Sequence, residues 1–293
     1  MDTVHITSGR EVPVPTLPTG VGLTALCTAG ERGTESRRPD RLFEDRVAQL
    51  LTEVIGESPR TAGLPGGRLL RGRAFMRDVV ALRTRFFDDE LRLASAYCRQ
   101  VVLLGSGLDS RAFRLDWAPG TEVYELDRGD VLRFKHSILA RDGEQPRCAR
   151  VAVSADLRGD WPGALRAAGF NPWRPTAWCV EELLPYLSRA ENDRLLSSIT
   201  AMSAAGSHLV ADHFDTALQR SVSFSATARV LHAVGAAWRS TLEAPDGWLA
   251  PYGWSCALTD PAELAHRSGR AVPGLCGPHT GGDGHMWLIS AAR

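Results

Sequence analysis

From residue 100 onward the sequence beats in short apolar runs: "VVLLG", "TEVYELD", "RVAVSADL", "TAWCVEE" and "SHLVADHF". The runs recur at intervals of about 20 to 30 residues with helical segments between them, which is the rhythm of strand, crossover helix, strand. Near-continuous apolarity means that both faces of each strand are covered, as in a parallel sheet. The rhythm predicts a doubly wound α/β sheet of at least five strands. After it, "FDTALQRSVSFSATARVLHAVGAAW" reads as one or two helices, and "YGWSCALTD" and "GHMWLISAAR" read as two late strands. These form a hairpin-like edge with one antiparallel strand, for about seven strands in all.

The 293 residues are 44% apolar, enough to bury one large core. Residues 1–22, with Pro13, Pro15 and Pro18 and few apolar anchors, read as a flexible arm. A single domain is expected over 23–293, with cap helices from about 23–98 and 214–240. One cap helix starts behind Asp40 as N-cap, carries Leu42, Phe43, Val47, Leu50, Leu51 and Val54 at helical spacing, and ends at Gly56. The Gly/Pro-rich break "ESPRTAGLPGG" precedes a longer helix, "DVVALRTRFFDDELRLASAYC".

Thirty-four basic residues balance 34 acidic ones. Without a net field, nucleic-acid and anionic-membrane partners are not expected. Lys135 is the only lysine, which coding bias explains as well as function does. Six scattered cysteines form no CxxC pair and no metal-ligand spacing, so the reading is reduced, packed thiols and no metal. There is neither a signal-peptide pattern nor an apolar run of eighteen residues, and the expectation is a cytoplasmic protein.

In an open parallel sheet, ligands sit beyond the carboxyl ends of the strands. Gly105-Ser106-Gly107 follows the first run; bare glycines let backbone N–H groups approach a ligand, ahead of a helix N-terminus that favours negative charge. The pattern is G-x-G-x-x-S, with Ser110 in place of a third glycine, and alone it fits a plain tight turn equally well. Asp127, 22 residues beyond Gly105, is placed to accept from both hydroxyls of a ribose, with Glu125 as its rival. Asp156 can take an adenine amine and Leu157 cover its face, although Asp156 also suits a helix cap. Glu181-Glu182 follow the fourth run, and Asp212-His213 sit at the mouth of the fifth. His213 is a candidate base or hydrogen-bond donor, or a satisfied structural histidine. Arg83 and Arg85 project about 200° apart on their helix, so only one can turn inward, where a carboxylate would be the reason for it.

Together "ESRRPDRLFED", "RTRFFDDEL", "VVLLGSGLDSRAFRL", "VYELD", "VSADLRGDWPGALRAAGFNPWRPTAW" and "EELLPYL" resemble the leucine carboxyl methyltransferase family, and most closely its bacterial branch. The resemblance runs from about residue 23 to the C-terminus. It implies a class I (Rossmann-like) methyltransferase fold with a helical cap and S-adenosylmethionine as cofactor. It carries over Arg83 as the arginine for the cofactor's carboxylate and Gly105 as the glycine under its methionine part. Asp127 becomes the ribose acid, Asp156 and Leu157 the adenine contacts, and Glu181 the acid near the amino group. Two departures fall on the acceptor side: Glu182 stands where the branch usually has glycine, and Gly30 and Gly33 stand where it tends to alanine.

The resemblance implies an O-methyltransferase acting on a small molecule, with a carboxylic acid of secondary-metabolite or polyketide type favoured. A carboxylate needs no base, only an arginine or tyrosine to orient it. A hydroxyl acceptor would need a base, for which His213 is the first candidate, with Tyr186 as its orienting partner. Protein C-termini are a less favoured acceptor. Two further classes share the turn and the ribose acid. An NAD-dependent oxidoreductase would begin with the turn near its N-terminus; a non-catalytic nucleoside-binding protein would bind cofactor without transferring anything.

Overall fold

The computed structural model describes residues 21–57, 77–273 and 284–293, and the statements below concern those residues. The expected arm lies outside them except for Val21 and Gly22, as does the Gly/Pro-rich break from residue 58 onward. Three helices come first: α1 (Val21–Ser36), α2 (Arg46–Glu57) and α3 (Arg77–Ser95). The alternating part follows as β1 (Gln100–Leu104), α4 (Arg111–Arg114), β2 (Glu122–Asp127), α5 (Gly129–Asp142), β3 (Ala149–Ser154), α6 (Trp161–Ala167), β4 (Thr176–Val180), α7 (Arg189–Ala201) and β5 (His208–Phe214). The chain ends through α8 (Thr216–Arg220), α9 (Val222–Ala233), α10 (Pro245–Leu249), β6 (Ser255–Thr259), α11 (Pro261–Arg267) and β7 (Met286–Ala292).

The seven strands run in the order β3-β2-β1-β4-β5-β7-β6. The first five are mutually parallel, and β7 is antiparallel to both β5 and β6, giving the single reversed strand expected at the late edge. The chain leaves β1 towards β2 and β3, then crosses back to β4 and β5. The crevice therefore opens between β1 and β4, where the winding reverses.

Strand alternation divides the core. Val101 and Leu103 pack with Phe87, Leu91 and Phe134 on the face covered by α1, α3 and α5. Val102 and Leu104 face the other way, towards Trp161, Trp178 and Leu195. Trp178 meets Trp161 edge-on at 6.1 Å. Burying such side chains contributes about 1.5–3 kcal/mol each.

The cap corrects one expectation. Helix α2 begins at Arg46, and its cap is Asp45, whose Oδ1 accepts from the Ala48 N–H at 2.8 Å. Asp40 instead pairs with Arg38 at the surface. Leu42 is held out of the helix because its N–H donates to Glu35 and its carbonyl accepts from Arg85. The buried Asp45 also takes Arg32 at 2.9 Å and the Ser110 hydroxyl at 2.6 Å, tying α1, α2 and the turn after β1 together. Gly33 does not break α1. A Cβ there would lie 2.8 Å from Thr52 Oγ1 and 3.0 Å from the Ala48 carbonyl, so glycine permits the close approach of α2.

Candidate active site

The turn after β1 is shaped by left-handed glycines, Gly105 at φ +64° and Gly107 at φ +49°. Substitution would also meet neighbours: a Cβ on Gly105 would reach Leu183 at 3.2 Å, and one on Gly107 the Ala25 methyl at 3.1 Å. The helix beyond is a single turn, α4, so the long N-terminal dipole expected of a dinucleotide turn is absent here. Ser110, in the third-glycine position, is turned away to Asp45. Asp127 ends β2, and its Oδ2 accepts from the Gly107 N–H at 2.6 Å. Burial pushes its carboxyl above the usual range, against the pull of that N–H and of Arg128. Its rival, Glu125, is fully buried elsewhere, between Lys135 at 2.7 Å and Arg150 at 2.6 Å. The chain's single lysine is thus half of a buried ion pair.

Asp156 and Leu157 lie two and three residues past β3, on the cavity wall. Asp156 caps no helix; Asp160 caps α6. Asp156 instead takes the backbone and guanidinium of Arg158, whose hydrogen bonds lower its carboxyl to about 2.

Of the two arginines on α3, Arg83 turns inward and is 1% exposed, while Arg85 pairs with Asp89 outside. Three carboxylates meet Arg83: Glu181 at 3.1 Å on Nε, Glu182 at 2.5 Å on Nη2 and Asp212 at 3.8 Å from Nη1. Its Nη1 has no hydrogen-bond partner despite being buried. Glu181 is also held by Arg111 at 2.7 Å, and Arg111 binds Asp88 and Asp109. Glu182, at φ +50°, donates its N–H to Asp212 Oδ1 at 2.6 Å. Its carboxylate accepts from the Thr28 hydroxyl of α1 at 2.8 Å and from Tyr186 at 3.3 Å. Burial drives the Asp212 carboxyl up to about 7, opposed by the nearby Arg83.

His213 requires a correction. Strand β5 continues through it to Phe214, so Asp212 and His213 lie within a strand and point to opposite faces. Asp212 faces Arg83. His213 faces the α7 side and lies outside the cavity wall. Its Nδ1 accepts from the Phe214 N–H at 2.8 Å, and Nε2 lies 3.3 Å from the Ser240 hydroxyl. That hydroxyl also contacts Asn192 and the Leu184 carbonyl. Both ring nitrogens are engaged, and burial lowers the imidazole to about 4. Such a ring is a neutral structural histidine with no lone pair for a substrate proton.

One cavity of about 360 Å³ joins these parts, its wall including Asp127, Leu157, the glycine turn, Arg83, Tyr186 and Arg239, the last paired with Glu191 at 2.8 Å. It brings together Arg83, Gly105, Gly107, Asp127, Asp156, Leu157, Glu181 and Tyr186; His213 alone among the expected site residues stands apart. Sequence reading passed over Arg111, Thr28 and Arg239. Thr28 carried no signal, since its partner is 154 residues away.

This sheet order, with the cavity at its switch point, defines a class I, Rossmann-like methyltransferase fold. The family model described as Leucine carboxyl methyltransferase matches residues 25–200. A Parafrankia sp. protein named as an S-adenosyl-L-methionine-dependent methyltransferase is 44% identical over 257 residues, covering 87% of this chain and 83% of its own. One from Streptomyces avermitilis with the same kind of name is 41% identical over 260 residues, covering 87% and 90%. Among solved structures, a methyltransferase-titled protein of Thermobifida fusca superposes with TM-score 0.57 at 16% identity over 98% of this chain and 99% of that one. A DUF574 family protein of Streptomyces avermitilis gives 0.56 at 14% identity over 87% and 100%. The chain is an S-adenosylmethionine-dependent methyltransferase. It belongs to the leucine carboxyl methyltransferase family. No helix among the described residues is long and apolar enough to cross a membrane.

Proposed function

We propose that the enzyme methylates a carboxylate oxygen of a small-molecule acid, of secondary-metabolite or polyketide type, to give a methyl ester. The observation that carries the reading is the cavity's charge layout. Beside the cavity three carboxylates share one buried arginine, which suits a ligand of net positive charge; its wall also carries a half-exposed arginine, Arg239, which pairs with Glu191 at 2.8 Å and whose charge favours an anion nearby. The fit to the cofactor rests on features of this chain. The Nη1 of Arg83 is a buried donor without a hydrogen-bond partner, and the left-handed Gly105–Gly107 turn lies on the wall of the same cavity.

In this reading Arg83 holds the methionine carboxylate and Glu181 the ammonium. Gly105 and Gly107 pass under the methionine part, Asp127 accepts from the ribose hydroxyls, and Asp156 and Leu157 hold the adenine. When bound, S-adenosylmethionine supplies an electrophilic methyl group on a sulfonium. The chain aligns the acceptor and excludes water. A carboxylate is already nucleophilic at neutral pH, so no residue need remove a proton. Tyr186 and Arg239 orient it.

The segment bearing Arg239 is stiffened for that role. Its N–H donates to the Pro185 carbonyl at 2.6 Å, Trp238 stacks between Phe214 and Phe224, and Ser240 is locked beside His213. His213 thereby positions rather than catalyses.

The test is transfer of a labelled methyl group to a panel of aromatic and aliphatic acids with their matched alcohols and phenols. A labelled product that mild alkali cleaves to methanol is the ester expected. An alkali-stable ether from the hydroxyl panel would transfer the reading to a hydroxyl acceptor.

A further inference from the structure

Asp212 is fully buried in β5, one layer behind the cavity: it meets Arg83 and the Glu182 backbone, which belong to the wall, and is not on the wall itself. Its carboxylate is held unevenly. Oδ1 accepts from the Glu182 N–H at 2.6 Å, whereas the buried Oδ2 has no hydrogen-bond donor. Its cation is Arg83, whose Nη1 stands 3.8 Å away and also lacks a hydrogen-bond partner.

The same guanidinium holds Glu182 at 2.5 Å and Glu181 at 3.1 Å, and Glu181 has Arg111 at 2.7 Å besides. Of the three carboxylates around Arg83, Asp212 therefore stands farthest from its cation. One more ionisable group among the described residues faces it, the Cys179 thiol of β4, which burial raises well above its ordinary range and keeps neutral. On its other flank β7 sets the apolar Leu288 beside it, and His213 points to the opposite face. A buried, incompletely paired carboxylate is screened little, so its field extends into the cavity in front of it.

The cofactor and its product differ at the sulfur by a single charge. S-adenosylmethionine carries a sulfonium; once the methyl group has left, the sulfur is an uncharged thioether. We propose that Asp212 is the residue that tells the two apart: its carboxylate favours the sulfonium ligand over the thioether product, so that the site loosens its hold when the methyl group is gone. The proposal rests on the assignment of the cofactor to this cavity. Asp212 acts across space, from behind the wall, and is a specificity determinant with no part in the chemical step.

Its charge can be switched. Burial raises the carboxyl to about 7 against the pull of Arg83, so Asp212 is neutral below that pH and ionised above it. The preference for the sulfonium must then grow as pH rises through 7.

The experiment is calorimetric titration of the full chain with S-adenosylmethionine and S-adenosylhomocysteine from about pH 5.5 to about 8.5, on either side of that value. The ratio of the two affinities is expected to rise about tenfold in favour of S-adenosylmethionine, the scale of one pair of unit charges about 10 Å apart at an effective dielectric constant of about 20. Asp212→Asn removes the charge and keeps an oxygen for the Glu182 N–H, and its ratio should follow a flat course. The ligand's own amino group titrates at about 8, and comparison of parent with variant cancels it.

Parallel ratios in parent and variant would overturn the proposal. So would equal weakening of both ligands at every pH, which would leave Asp212 as a brace for the Glu182 turn. If the variant does not fold, infrared difference spectra of the parent decide: at about pH 6.5, S-adenosylmethionine should diminish the C=O stretch of a protonated carboxyl and S-adenosylhomocysteine should leave it, whereas identical spectra would overturn the proposal. Asp127→Ala separates the two layers. Weakening of both ligands keeps the cavity as the cofactor's site whatever Asp212 does, and unchanged affinity for both would remove the reading on which the proposal stands.

Discussion

The floor of the crevice and its rim beyond β3 use the same chemistry, acid against arginine, under opposite solvent conditions. On the floor, Arg83 is 1% exposed among Glu181, Glu182 and Asp212, and Arg111 and Arg114 share Asp88 in the same layer. On the rim, Asp156 and Arg158 pair at 2.8 Å with 51% and 62% exposure. Distances hardly differ between the two, whereas the consequences of breaking them do. Removing one partner of a buried pair strands an unsolvated charge and costs about 3–5 kcal/mol, but an exposed pair contributes about 0–1 kcal/mol. The floor is a fixed electrostatic fixture; the rim can rearrange around a ligand.

Four measurements would break or sharpen that contrast. Arg83→Ala should have the largest effect, lowering unfolding free energy by about 3–5 kcal/mol in denaturant titration, because its carboxylates lose their cation. In the folded fraction it should also weaken S-adenosylmethionine binding by about 1.5–3 kcal/mol. A loss below about 1 kcal/mol in both would put the floor in the same class as the rim.

The second concerns pH. Asp212 is raised from 3.8 in the unfolded chain to about 7 in the fold, so between those values the native state binds the extra proton. Stability from this group is therefore fully present below about pH 4 and declines as pH rises towards 7, by on the order of 3 kcal/mol. Asp212→Asn should flatten that decline relative to the parent when unfolding is followed from pH 4 to 8. Parallel curves would show that the carboxyl titrates normally.

His213→Gln comes third. With both ring nitrogens engaged, its loss should cost about 1–2 kcal/mol of stability while the pH profile of kcat near neutrality keeps its shape. Disappearance of a limb near neutrality would restore His213 as a base. Smallest of all, Arg158→Ala should change stability by less than about 0.5 kcal/mol, and added salt should leave the variant and the parent indistinguishable.

Much of the site was legible because strand ends are legible. Asp127 and Glu181 each follow an apolar run, and the structure puts both on the cavity wall. Arg83 and Arg85 could be separated by helical angle alone, and the inward one is Arg83. What failed was the pair Asp212-His213. The strand runs two residues further than its apolar core suggested, because β7 pairs with it through Phe214, and alternation then sends His213 to the opposite face. Asp45 was overlooked as cap for a related reason. Leu42 and Phe43 fit the helical spacing, but tertiary bonds from Glu35 and Arg85 hold that stretch out of the helix.

By itself the sequence determined the winding of the sheet, the turn, the acid at the end of β2 and the family, since each is written in local spacing and in the alternation of apolar runs. Only the tertiary structure decided which charges meet. Thr28 reaches Glu182 across 154 residues and Arg83 reaches Glu181 across 98, and no local pattern encodes contacts at such separations. Whether an acid is a solvated surface group or a buried one raised to about 7 depends on everything packed around it, which exists only once the chain is folded.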